Sequence, residues 1–283
     1  MTTQLFDRKV IVGPLKSISA SRLSQATGWP RSWWQINSLW NNKWGHWSCT
    51  EPRPNDLLIN YGLMGGALNR YYNKFPQAIA CSTINKNIMS MESKCKTAQK
   101  LSFIESLTVP ESRYHIGNAV SGTEREWIIK PTYSGQGRGI HVWDGESDAM
   151  HGEYFQQRIT NREVEVRISG ALWAPVENWG IWLKKHPDGN NQLTWNHDTG
   201  GKFVTVRRPE NRRTHLTAID NTFTILAALG LDFGAVDFIK DTDGRYWFLE
   251  VNTRPGFTPL SLTIYTEMFK LLEENTYVPI ADR

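Results

Sequence analysis

Apolar positions change their spacing several times along the chain, and each change marks an element. KVIVG (9–13) is a short apolar run closed by Gly and Pro, which predicts a strand. A helix is predicted over 19–27, a strand over 56–61 (DLLINY) and a second helix over 67–73. Between 29 and 50 no period holds, and Pro, Gly and Asn recur, so irregular chain or short helical turns are expected there. In ESKCKTAQKLSFIESL, the apolar residues Cys95, Ala98, Leu101 and Ile104 fall every third position, which predicts one helix ended by Val109-Pro110. EWIIKP (126–131) reads as a strand stopped by proline, with GIHVWD as its hairpin partner across a glycine-rich turn. YFQQRI (154–159) and EVEVRISGALWAPVENW (163–179) alternate as further strands. A helix over 218–231 ends at Gly230. It is followed by a two-stranded antiparallel unit, GAVDFIKDTDGRYWFLEVN, turning at 241–244 on Asp-Gly chemistry.

Composition narrows the class. The 283 residues suit about two domains, and 40% hydrophobic with 21% charged residues is ordinary for a water-soluble globular chain. No apolar run nears the roughly 20 residues of a membrane span, and the first residues lack the apolar core of a signal peptide. Three cysteines (Cys49, Cys81, Cys95), odd in number and without CxxC spacing, argue against a disulfide framework or a zinc site and suit a reducing, cytoplasmic setting. A net charge of +4 tolerates anionic ligands but is too small to argue for nucleic acid. The one bias is tryptophan: 13 against 9 Tyr and 11 Phe, with Trp29, Trp33, Trp34, Trp40, Trp44 and Trp47 close together.

The candidate chemistry begins in YWFLEVNTRPG (246–256). An apolar strand ends in Glu250 and Asn252, which share a face because strand side chains alternate. Asp237, on the preceding strand, can lie opposite them. Two carboxylates and a carboxamide are hard oxygen donors of the kind Mg²⁺ takes together with substrate phosphates. Alone, such a pattern has an ordinary explanation in a turn cap and a surface ion pair. A second motif shifts the balance. In WIIKPTYSGQGRGI, Lys130 stands at the base of a loop carrying Ser134, Gly135, Gln136, Gly137 and Gly139, where missing Cβ atoms let backbone N–H groups approach phosphate. It is neither a Walker A loop nor a dinucleotide fingerprint, since the lysine precedes the glycines.

These motifs resemble the ATP-grasp superfamily, in particular its carboxylate–amine ligase branch, with RimK-like and D-alanine–D-alanine ligase-like members. IIKPTYSGQGRGI is similar to that family's Lys-Pro strand and phosphate-covering loop, and 230–256 to its magnesium hairpin. SKCKTAQKLSFIESLTVPESRY (93–114) resembles its first nucleotide-contacting segment and puts Lys94 in the place of the second phosphate-binding lysine. YFQQRITNREVEVRISG resembles the interlobe strand that binds adenine through Gln157, Arg158 and Ile159, with Glu163 in the place of a ribose-binding acid. WNHDTGGKF (195–203) resembles a loop of the RimK-like members, and His197 within it is left open. The resemblance spans roughly 90 to 260.

The resemblance implies an α/β protein: an ATP-grasp fold of two α+β lobes clamping ATP, at 91–155 and 156–283, preceded by a small, divergent, Trp-rich N-terminal α/β domain at 1–90. It implies ATP and Mg²⁺ (or Mn²⁺) as cofactors, with Asp237, Glu250 and Asn252 on the metal and Lys94 and Lys130 on the phosphates. It further implies a ligase that joins a carboxylate and an amine through an acylphosphate, with an amino acid and a peptide or protein among the candidate substrates. Ala235 stands where one branch carries a phosphate-binding arginine, so another cation must serve the transferred phosphate. Lys202, Arg207, Arg208 and Arg254 are the candidates, Arg254 being nearest the metal residues in sequence. Two rivals remain at this level: an ATP-grasp kinase that phosphorylates a small molecule, and a nucleic-acid- or glycan-binding module built on the tryptophans. Few basic residues interleave with the latter. Oligomeric state is left open.

Overall fold

The computed structural model describes residues 6–14, 17–34, 48–63, 66–86, 93–115, 126–132, 138–189, 192–195, 200–206, 209–274 and 277–282. The chain opens with β1 (Arg8–Pro14), α1 (Ile18–Thr27), β2 (Arg31–Trp34), β3 (Ser48–Cys49), β4 (Asp56–Asn60), α2 (Gly66–Lys74) and β5 (Ser82–Ile84). These strands form one sheet in the order β3-β2-β1-β4-β5, parallel except for β3. Strands of a parallel sheet are covered on both faces, and all five residues of β4 are buried. The expectation of irregular chain over 29–50 is corrected at 31–34 and 48–49, which pair as strands. Trp29 is a core residue, edge-on to Phe269 at 6.2 Å with its Nε1 donating to Glu273. Trp40, Trp44 and Trp47 lie outside the described residues, as do the side chains of Trp33 and Trp34.

Next come α3 (Lys94–Leu101), β6 (Ser112–Arg113), β7 (Trp127–Pro131), β8 (His141–Val142) and β9 (Glu153–Gln157). Their strands make an antiparallel sheet ordered β6-β9-β7-β8 over a small apolar cluster of Trp127, Ile129 and Phe155. Helix α3 starts as capping rules require, with the Ser93 hydroxyl accepting from the Lys96 N–H. It stops well short of Val109. After Leu101 the chain turns on the hydrogen bonds Ile104 N–H to Leu101 and Leu107 N–H to Ile104.

The remainder builds β10 (Arg162–Ala171), β11 (Gly180–Lys185), β12 (Lys202–Thr205), the short α4 (Pro209–Arg213), α5 (Leu216–Leu229), β13 (Phe233–Asp241), β14 (Tyr246–Asn252) and α6 (Pro259–Glu274). Here the antiparallel order is β12-β11-β10-β13-β14. Gly230 ends α5 in the left-handed conformation, φ 66°, which glycine adopts without a steric cost. Alternation decides the two faces of β10 and β13. Val164, Val166, Ile168, Val236 and Phe238 enter a core shared with Ile11, Leu57 and Ile59 of the first sheet and with α6. Glu165, Arg167 and Asp237 point the other way. A buried knot fixes the start of β13: Asn85 bonds the backbone of Asp232 and Phe233 while the Asp232 carboxylate accepts from the Asn85 N–H and Tyr277. Among the described residues no helix is long and apolar enough to cross a membrane. Cys81 and Cys95 are buried free thiols.

Candidate active site

A cleft opens between the four-stranded sheet and the charged face of β10, β11, β13 and β14. Lys94, Lys130, Gln156, Glu165, Lys184, Asp237 and Glu250 all line it. Glu250 and Asn252 project from β14, and their side chains touch, Asn252 Nδ2 donating to Glu250 Oε1 at 3.2 Å. Asp237 stands directly across the ladder from Glu250. A register shift just after Asp237 takes up Leu249 as an extra residue, since Phe238 pairs with Phe248. The structure thus brings all three expected oxygen donors together on one hairpin. Among the described residues there is no group of three or more His, Cys, Asp or Glu around one point. The set therefore fits a metal whose shell is completed by phosphate oxygens and water, the habit of magnesium.

Both expected lysines reach this centre. Lys94 is the first residue of α3, a poor place for a cation because the helix dipole is positive there. Its position is explained by Glu250, whose Oε2 receives Lys94 Nζ at 2.8 Å. Burial pushes the Glu250 carboxyl up, but Lys94, with Lys130 behind it, outweighs that and holds it down at about 2. Lys130 is buried on β7 and donates to Gln156 Oε1 at 2.9 Å. Burial lowers its ammonium to about 8, with Lys94 pushing the same way and Glu250 opposing.

Sequence reasoning missed three residues here. Arg167 is the cross-strand neighbour of Asp237, and its Nε and Nη2 each meet a carboxylate oxygen at 2.6 Å. Burial would lower the guanidinium, yet Asp237 more than offsets this and raises it. Lys184 pairs with Glu165 at 2.8 Å and stands 3.9 Å from Asp237. Glu165 also accepts from Arg162 at 3.0 Å. The available signal was the run VEVRISG, in which two charges alternate with core residues on a strand that is otherwise buried.

Other expected residues divide. Gln157, Arg158 and Ile159 line the far end of the cleft beside Trp195, over whose ring the Arg162 guanidinium lies at 4.2 Å. Glu163 does not join them. It is exposed and paired with Lys240 at 2.7 Å, because a register shift between Arg162 and Val164 turns it from the face that carries Glu165. Gly139 has φ 77°, and a Cβ there would come within 2.9 Å of Pro131, so glycine is required on two counts. Ser134, Gly135, Gln136 and Gly137 lie outside the described residues, as do His197, Arg207 and Arg208. Arg254 is exposed, its stem laid over Gly62. Lys202 lines a second pocket of about 920 Å³, which Arg167, Ser169, Trp182, Phe203 and Tyr265 also border. The Arg167–Asp237 pair is therefore the partition between two cavities: Asp237 faces the cleft and Arg167 faces the pocket.

A two-lobed cleft between a four-stranded and a five-stranded antiparallel sheet, with the Asp237, Glu250 and Asn252 hairpin on one side and the Lys130 strand on the other, is the architecture of the ATP-grasp fold. Over part of its length the sequence is similar to carboxylate–amine ligases. Residues 157–271 match the family model described as the D-ala D-ala ligase C-terminus. The chain is 58% identical over 159 residues to the D-alanine–D-alanine ligase of Dechloromonas aromatica, an overlap of 55% of this chain and 47% of that protein. With the Geobacillus kaustophilus ligase of the same name it shares 29% over 172 residues, 54% of this chain and 42% of the relative. The matched region thus spans about half the length of these relatives. Solved structures share the fold across nearly the whole chain. The VanG D-Ala:D-Ser ligase of Enterococcus faecalis superposes with a TM-score of 0.61 at 16% identity, covering 95% of this chain and 99% of that one. A RiPP-associated ATP-grasp ligase of Chryseobacterium gregarium, solved with ADP and leader and core peptides, gives 0.59 at 11% identity, covering 94% and 97%.

Proposed function

We propose that this chain is an ADP-forming carboxylate–amine ligase whose carboxylate substrate is carried by a peptide. The observation that carries the reading is the partition: one ion pair, Arg167–Asp237, separates a cleft furnished for a metal–triphosphate from a pocket whose lining includes Arg167 and Lys202 and, among the described residues, no acidic side chain. Such a lining suits a carboxylate. The pocket's rim is β12, which pairs on one side only among the described residues and exposes Phe203 and Val204. An extended peptide can lie along such an edge. The RiPP-associated relative, solved with its leader and core peptides, supports the same class of acceptor.

In this reading Lys94 and Lys130 neutralise the α- and β-phosphates, and Gln157, Arg158 and Ile159 seat the base. Magnesium held by Asp237, Glu250 and Asn252 would supply charge neutralisation between the β- and γ-phosphates. The acceptor carboxylate oxygen attacks the γ-phosphorus, the bond to the bridging oxygen breaks, and ADP leaves. Arg167, at the partition, meets the transferred phosphoryl group, the task for which Lys202, Arg207, Arg208 and Arg254 were the sequence candidates. Positioning and charge stabilisation dominate such a step. The amine nitrogen then attacks the acylphosphate carbonyl, the C–N bond forms, phosphate leaves with the C–O pair, and the amine loses its proton to solvent. The cleft walls keep water from the acylphosphate.

The test is a mass-resolved product assay with Mg²⁺, ATP, an amino-acid pool and acidic peptides, with Glu250→Gln as the control. A peptide heavier by one amine unit minus water, formed with ADP, is the expected result. A product heavier by one phosphate, with no need of an amine, would replace the ligase by a kinase.

A further inference from the structure

All four carboxylate oxygens of the metal-donor pair accept an N–H donor. Asp237 Oδ1 and Oδ2 each receive Arg167 at 2.6 Å. Glu250 Oε2 receives Lys94 at 2.8 Å and its Oε1 receives Asn252 at 3.2 Å. A hard divalent cation binds through these same oxygens. Of the three donor groups, Asn252 is neutral, but Lys94, which lines the cleft, and Arg167, which stands behind Asp237 at the partition where the γ-phosphoryl group would arrive, are cations that the metal ion must displace.

We propose that Lys94 and Arg167 are exchangeable counter-ions. They hold Glu250 and Asp237 paired in place and release them to the metal only by passing to the phosphates, so metal and nucleotide bind as a coupled pair. This inference rests on reading the cleft as an ATP site.

The charge balance requires the coupling. A metal ion arriving alone displaces two cations beside a third, Lys130, which is only 7% exposed on the cleft wall. A nucleotide arriving alone draws Lys94 and Arg167 toward its phosphates and leaves Glu250 only Asn252 in contact and the 2%-exposed Asp237 only Lys184, at 3.9 Å. A buried charge left unpaired is costly. When both ligands arrive, every charge has a partner. Linkage makes the effect reciprocal, and couplings of this kind run to roughly 5- to 150-fold.

The experiment uses Mn²⁺ as the probe, with free ion followed by electron paramagnetic resonance, with and without the imido analogue of ATP. Calorimetry with the analogue in EDTA gives the metal-free arm. In the wild-type chain Mn²⁺ is expected to bind on the order of 10- to 100-fold more tightly with the analogue, after correction for the complex formed in solution. Lys94→Met should tighten Mn²⁺ binding in the absence of nucleotide and shrink the coupling. Glu250→Gln, which frees Lys94 from the other side, should tighten metal-free analogue binding. Independent binding of ion and analogue in the wild type, or unchanged coupling in Lys94→Met, overturns the counter-ion role while leaving the ATP site intact. Failure of the chain to bind the Mn²⁺–analogue complex at all overturns the ATP site and this inference with it.

Discussion

Two regions of this molecule carry the same ion pair. In the first sheet, Arg8 on β1 and Asp56 on β4 are cross-strand partners, with Arg8 Nε and Nη2 on the two carboxylate oxygens at 3.0 and 2.6 Å. In the last sheet, Arg167 on β10 and Asp237 on β13 repeat this arrangement. Their surroundings differ. Asp56 is fully buried and accepts a further bond from the Arg53 N–H, while Arg8 gives a spare N–H to the Glu51 carbonyl. The Arg167–Asp237 pair instead stands between two cavities, with Glu250 across the ladder and Lys184 nearby. The same chemistry closes a structure in one place and leaves groups available for a ligand in the other.

Breaking each pair should separate these roles. Arg167→Leu is expected to lower the rate of ADP formation by roughly 10³-fold, and a rate near wild type would remove Arg167 from the reaction. Arg8→Leu should leave the rate per folded molecule unchanged but cost about 3 kcal/mol of stability by stranding Asp56, as measured by denaturant unfolding. A loss of rate without loss of stability would reverse the contrast.

A gentler probe is pH. Lys130 is held at about 8, below the ordinary lysine value, first by burial and then by Lys94. Its charge is therefore lost in the folded chain as pH rises through about 8. Affinity for metal-free nucleotide should fall by about tenfold toward pH 9.5, and Lys130→Arg, which stays charged, should flatten the profile. The stability contribution has the opposite sign. Between about 8 and 10.5 the unfolded chain binds more protons at this site, so this group alone makes the fold more stable as pH rises. The smallest effect is expected at Glu163, which faces away from the cleft. Glu163→Gln should change nucleotide affinity less than twofold, whereas Glu165→Gln, which releases Lys184 and Arg162, should change it measurably. Equal losses would return Glu163 to the site.

How much of the site was legible depended on how local its parts are. Asp237, Glu250 and Asn252 belong to one hairpin, so alternation and a recognisable turn suffice to bring them together. Lys130 was marked by the glycines that follow it. Arg167 was marked only as a charge alternating with core residues in VEVRISG, and its partner is set by a strand pairing 70 residues away. Glu163 stands exposed beside Lys240 at a register shift, and no feature of the NREVEV run announces that shift. Helix α3 was overdrawn for a related reason. The apolar spacing continues to Ile104, but the chain after Leu101 finds its hydrogen bonds in turns.

The sequence by itself determined the strands near 9–13, 56–61, 126–131 and 154–159, the helix that ends at Gly230, and the hairpin that joins Asp237 to Glu250 and Asn252, since each follows from near neighbours and side-chain periodicity. Only the tertiary structure decided that β10 lies between β11 and β13 and that a register shift turns Glu163 away. It also decided that Arg167 closes on Asp237 to divide one cavity from another. These depend on strand order and register, which are settled by burying the whole apolar face at once and which no local run of residues encodes.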